Sequence, residues 1–281
     1  MKSERDFLEN LANKYSDASY LASDPIEFCY RYKTERDIEI IGFIAALFSY
    51  GNVLSIKQHL EKLFLLLGKS PFAFIREGNF SKMEKEIPKY RFQTHKDNLI
   101  FLQALSFMIK DKTSLESLFY SEKEESFLNE RIVNFQNHFI ATVKEITGKS
   151  KLSYGLQFLI GSGILGSSNK RYCMFLRWMV RDSFPDFGIY KSIPKSSLLY
   201  PTDVHIVRLS RILGFSNRRT VDFQLAKSIS DHFKNINPKD PLTYDFALSR
   251  LGILKICKSK YVPEICESCE LKKICNIYKS K

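Results

Sequence analysis

Glycine and proline are scarce, 12 and 9 residues in a chain of 281. With so few backbone breakers, and with strand-like alternation of polar and apolar residues rare, a turn-rich β fold is disfavoured. Long apolar runs are missing as well. The longest, residues 38–50, contains Glu39 and is too short to span a bilayer. No apolar stretch follows the charged start Met1-Lys-Ser-Glu-Arg-Asp6, so no signal peptide and no membrane association are expected, and the location is read as cytoplasmic. Internal repeats and low-complexity segments are also lacking. Cysteine is sparse, six residues, yet four of the six fall in the last 25 positions.

What is abundant points to a helical, basic protein. Apolar residues make up 44%, with 23 Phe, enough to bury a sizeable core and to disfavour disorder. The formal charge is +12, which favours a polyanionic partner, nucleic acid or an acidic membrane face, although a lysine excess also serves plain solubility. Residues 37–48 are apolar nearly all round, as in a buried central helix. Val53–Leu67 is amphipathic and ends at Gly68; 97–110 and 122–146 have helical spacing; Thr113 or Ser114 is placed to cap a short helix over 115–119. Residues 172–180 predict another apolar helix, followed by a linker over 182–201. The fold class is all-α.

Three local patterns carry chemistry. In Pro201-Thr-Asp-Val-His-Ile-Val-Arg-Leu-Ser-Arg211, Asp203 stands where an N-cap belongs, apolar residues follow at helical spacing, and Gly214 closes the helix. Asp203 is either a cap alone or an outward-facing carboxylate able to stabilise a developing cation. Upstream, Gly166-Ser167-Ser168-Asn-Lys170-Arg171 is a small-residue turn before a helix, which suits either a phosphate contact or an ordinary helix connection. Downstream, Cys257-x8-Cys266-x2-Cys269-x5-Cys275 could hold a [4Fe–4S] cluster or Zn²⁺. The tight, uneven spacing favours the cluster, because zinc ribbons usually use two Cys-x2-Cys pairs set further apart. Cys29 and Cys173 lie in apolar segments and read as buried thiols.

Together these patterns resemble the helix-hairpin-helix DNA glycosylases of the endonuclease III kind, and most of the chain is similar to an uncharacterised bacterial branch of that superfamily. The resemblance implies two helical domains: a six-helix barrel-like domain over 37–199 with a hairpin at about 160–182, and a cluster domain over 200–281 with residues 1–36 packed on it. It implies DNA repair by excision of a damaged or mispaired base from double-stranded DNA, at the nucleoid, with no obligate protein partner. Asp203 would stabilise the oxocarbenium-like state and Lys170 would form a Schiff base. Gly166, Ser167, Ser168 and Arg171 would hold DNA, and Cys257, Cys266, Cys269 and Cys275 would ligate [4Fe–4S]. A non-catalytic iron–sulfur or zinc nucleic-acid-binding protein is the alternative.

Overall fold

The computed structural model describes residues 3–80, 83–112, 114–119 and 128–281. The expected cap Thr113 and the first part of the helix expected over 122–146 lie outside the described residues. The described chain is all-α. In order, its α-helices are α1 (Glu4–Lys14), α2 (Glu35–Leu47), α3 (Val53–Leu67), α4 (Pro71–Glu77), α5 (His95–Ile109), α6 (Leu128–Thr147) and α7 (Tyr154–Ile160). They continue with α8 (Lys170–Val180), α9 (Val204–Leu213), α10 (Phe223–Ile236), α11 (Asp245–Ile253), α12 (Pro263–Cys266) and α13 (Asn276–Lys279). Among the described residues no β-strand occurs, only an isolated bridge between Tyr90 and Gln93.

The chain divides into two compact units, 25–165 and 1–24 with 166–281. In the first, α2 is buried from Asp37 to Leu47, as its sequence predicts. Thr34 caps it, its hydroxyl accepting from the Asp37 N–H. The core around α2 is aromatic: Phe101 stacks on Phe139 with centroids 5.5 Å apart, and Phe119 on Phe135 at 4.2 Å. Glu39, inside this core, accepts from the Ser114 hydroxyl at 2.6 Å and the Leu115 N–H at 2.9 Å. A charged residue on an apolar helix is tolerated because it anchors the segment over 114–119, which is a short 3₁₀ turn, Glu116–Phe119.

The second unit joins residues 1–24 to residues 166–281. Helix α1 packs on α11, and α11 on α9. The division differs from the one expected at 199/200, because residues 166–199 group with the carboxy-terminal part. Buried charge explains this. Arg177 of α8 pairs with Asp186 at 3.2 Å and with Asp245, while Arg181 pairs with Asp186 and, at 3.0 Å, with Asp240. The segment after α8 is therefore no loose linker. Phe187 and Tyr190 donate backbone N–H groups to Trp178 and Met179 at 2.8 Å, and Tyr190, Ile193, Leu198 and Tyr200 are buried.

Candidate functional site

Helix α9 forms as its sequence dictates. Asp203 has extended dihedrals (φ −74°, ψ 170°), and its Oδ1 accepts from the N–H groups of His205 and Ile206, both at 2.7 Å. Gly214 ends the helix in the left-handed region at φ 79°. Ile206, Val207, Leu209, Ser210 and Leu213 are buried, while Asp203 is only half-buried. No hydrogen bond among the described residues engages its Oδ2. One carboxylate oxygen is thus fixed by the helix end, and the other is available.

Helix α8 begins at Lys170, two residues before the expected start. Asn169 makes this possible by adopting the left-handed conformation (φ 48°, ψ 34°), which Asn tolerates better than most residues. Gly166, at φ 107°, and Ser167 are exposed ahead of it, and Ser168 is half-buried. The Gly166 carbonyl accepts from the Phe223 N–H at 2.9 Å, and the Ser167 hydroxyl from the Asn169 N–H at 3.3 Å. No side-chain hydrogen bond caps α8.

The two helix starts share an electrostatic neighbourhood. Burial pushes the Lys170 ammonium below its usual pKa; Asp203 opposes this, and Arg171 adds to it. Burial also holds His205 below its ordinary value, against the pull of Asp203, with Arg208, Lys170 and Arg250 reinforcing the shift. An amine whose pKa is lowered, within the field of a carboxylate fixed at a helix start, can act as a nucleophile or move a proton. Behind it, Arg250 is fully buried and pairs with Asp24 at 2.7 Å, tying the stretch after α1 to α11. The sequence offers Asp24, before Pro25, only as a candidate helix cap and gives Arg250 no role. The only signal for Arg250 is an arginine inside a mostly apolar run, 246–254.

Cys257, Cys266, Cys269 and Cys275 are all half-buried and line one cavity of about 230 Å³. Leu209, Leu213 and Leu251 supply part of its apolar wall. The Cys269 thiol is pushed up, chiefly by burial. The Cys266 Sγ accepts from the Val262 N–H at 3.4 Å, and Lys14 bridges to Glu270 at 2.8 Å, fixing α1 to this loop. Among the described residues no three His, Cys, Asp or Glu side chains close around a point that could hold a metal ion. Cys29 and Cys173 are buried, and burial raises the Cys173 thiol to about 12.

Residues 24–254 match the model of a family described as "Protein of unknown function (DUF2400)". The chain belongs to this family. No curated protein and no solved structure matches it. The family match corrects the resemblance to the helix-hairpin-helix DNA glycosylases, since it covers the turn before Lys170 and the Asp203 segment and points to no such superfamily. The features that suggested the likeness have general causes: Asp is a preferred N-cap, and small residues suit the turn before a helix. The DUF2400 match ends before Cys257, so the cysteine loop lies beyond it.

Proposed function

We propose that this DUF2400 protein binds double-stranded DNA and excises an abnormal base from it, with Lys170 as nucleophile and Asp203 as the stabilising carboxylate. The observation that supports this reading most is a lysine whose pKa is lowered by burial and which feels the charge of an incompletely engaged aspartate, one at the first residue and the other at the N-cap of its own helix. The net charge of +12 supports a polyanionic partner. As the base departs, positive charge builds on the sugar, and the Asp203 carboxylate stabilises it. The base leaves with the electrons of the glycosidic bond and takes a proton, and the neutral Lys170 amine bonds to C1′ and loses a proton. The C1′–O4′ bond then breaks, its electrons passing to O4′, which takes up a proton, while the nitrogen lone pair completes the protonated imine.

The four cysteines would hold a [4Fe–4S] cluster, with Zn²⁺ as the alternative. A cavity of about 230 Å³ lined by four thiols is roomier than one ion needs. Such a group supplies a crosslink that folds a short loop bearing Lys258, Lys260 and Lys273, all exposed. A second reading, a non-catalytic nucleic-acid-binding module, is favoured by one observation: Asp203 Oδ1 already serves two backbone N–H groups, as in a purely structural cap.

Excision assays on duplexes carrying oxidised, alkylated or deaminated bases separate the two. Asn caps helices about as well as Asp, so Asp203→Asn removes the charge and keeps the helix start. The enzyme reading expects cleavage of at least one substrate by the wild type and a loss of 100-fold or so in the variant. Full activity in Asp203→Asn removes Asp203 from the chemistry. Duplex binding without excision on any substrate leaves the second reading.

A further inference from the structure

A second cavity, of about 450 Å³, opens along the flank of α9 and is lined in part by Thr202, Val207, Arg208, Arg211 and Ser259. Several of the side chains that line it carry polar atoms that are out of water and have no hydrogen-bond partner among the described residues: the Thr202 hydroxyl, Nε and Nη2 of Arg208, and the Ser259 hydroxyl. Arg208 is half-buried, and the fully buried arginines of this unit differ from it in having countercharges, Arg177 with Asp186 and Asp245, Arg181 with Asp186 and Asp240, and Arg250 with Asp24, although Nη2 of Arg177 and Nε of Arg250 also make no hydrogen bond among the described residues. Among the described residues no carboxylate pairs with Arg208 or Arg211; Arg211 donates only to the Arg219 carbonyl, at 2.7 Å.

A desolvated guanidinium edge with neither acceptor nor countercharge is costly, and such groups are normally paired in folded proteins. The missing partner has a definite chemistry. The arginine edge only donates, and both hydroxyls can donate, so the ligand must be an anion offering several acceptor oxygens. A carboxylate has two oxygens with about four lone-pair sites, so the Nε–Nη2 fork and both hydroxyls would have to share them, each oxygen taking two donors. A phosphate group has enough for the fork and both hydroxyls. The cavity is larger than a phosphate ion, and its rim carries Val204 and Val221, which are 76% and 51% exposed, so the phosphate should bear an organic group that covers them.

We propose that this cavity binds the phosphate of a phosphate ester, held by Arg208, Thr202 and Ser259, with the esterifying group against the valines. The site is separate from the Lys170 chemistry and stands whether or not the protein excises bases.

The test is calorimetric titration of the full chain, purified without air, with inorganic phosphate, a nucleoside 5′-monophosphate and a short oligonucleotide. At least one ester should bind several-fold more tightly than inorganic phosphate and lose tenfold or more in Arg208→Gln. Thr202→Val and Ser259→Ala, each deleting an unpartnered buried hydroxyl, should bind several-fold more weakly yet melt no lower than wild type in the absence of ligand. That combination is not produced by a merely structural role, and these two variants decide the matter if Arg208→Gln does not fold. No binding of any probe, or affinities unchanged in all folded variants, overturns the site. Inorganic phosphate binding as tightly as both esters overturns the part assigned to the valines.

Discussion

The imidazole of His205 lies directly against the backbone of Gly252: a Cβ on that glycine would stand 2.4 Å from His205 Nδ1 and 2.6 Å from its Cβ and Cγ. The contact locks the first turn of α9, and with it Asp203, onto α11. Gly252→Ala should therefore act on Asp203 at a distance. The ring must shift or α9 must slide, at a cost of about 1–3 kcal/mol. Denaturant melts should show that loss, and excision should fall with it, although Gly252 touches no substrate in this account.

Asp24 and Arg250 give the second prediction. Arg250 is fully buried, and Asp24 supplies its charged partner. Asp24→Ala leaves that charge unmatched and should cost about 3–5 kcal/mol. Adding Arg250→Met should recover a good part of the loss, because the uncompensated charge then disappears. Urea melts of the single and double variants measure the coupling; strict additivity would dissolve the pair.

A third prediction concerns pH and the unit over 25–165. His59 is buried between the rings of Phe48 and Tyr90, at 4.6 and 4.5 Å, and neither of its ring nitrogens has a hydrogen-bond partner among the described residues. Burial, with Lys62 nearby, lowers its pKa from 6.5 to about 4. The unfolded chain thus binds the proton first on acidification. Stability is intact above pH 6.5 and should fall as pH drops from there to about 4, by about 3 kcal/mol for this group. His59→Phe should flatten that part of the stability–pH curve. An unchanged curve in the variant would contradict the assignment.

The cysteine loop gives a fourth. Protein made without air should be brown and contain iron, and Cys269→Ser should lose colour and iron and melt at a lower temperature, because binding energy at such a site is folding energy. Colourless protein with one zinc per chain would select the alternative.

Much of the fold was legible because it is local. Val53–Leu67 is a helix with the bounds its pattern predicts, the stretch behind Thr34 is buried as its composition demands, and the Asp203 cap and Gly214 stop are where their residue types place them. What escaped is long-range. The Arg177–Asp245 and Arg181–Asp240 contacts join residues 68 and 59 positions apart, and no periodicity signals them, so by composition alone 182–201 reads as a linker. The candidate site shows the same divide. Asp203, Lys170 and the cysteines could be singled out by residue type and spacing. The unpartnered Thr202, Arg208 and Ser259 could not, because being unpaired is a property of the packed chain.

The account turns on Lys170 acting as a nucleophile, and borohydride trapping tests it most directly. Protein is mixed with duplexes bearing damaged bases while borohydride is present, and any covalent adduct is mapped by mass spectrometry. The account predicts an adduct on Lys170 that is absent in Lys170→Ala and retained in Arg171→Ala. An adduct that persists in Lys170→Ala, or none with any duplex the protein cleaves, would contradict it.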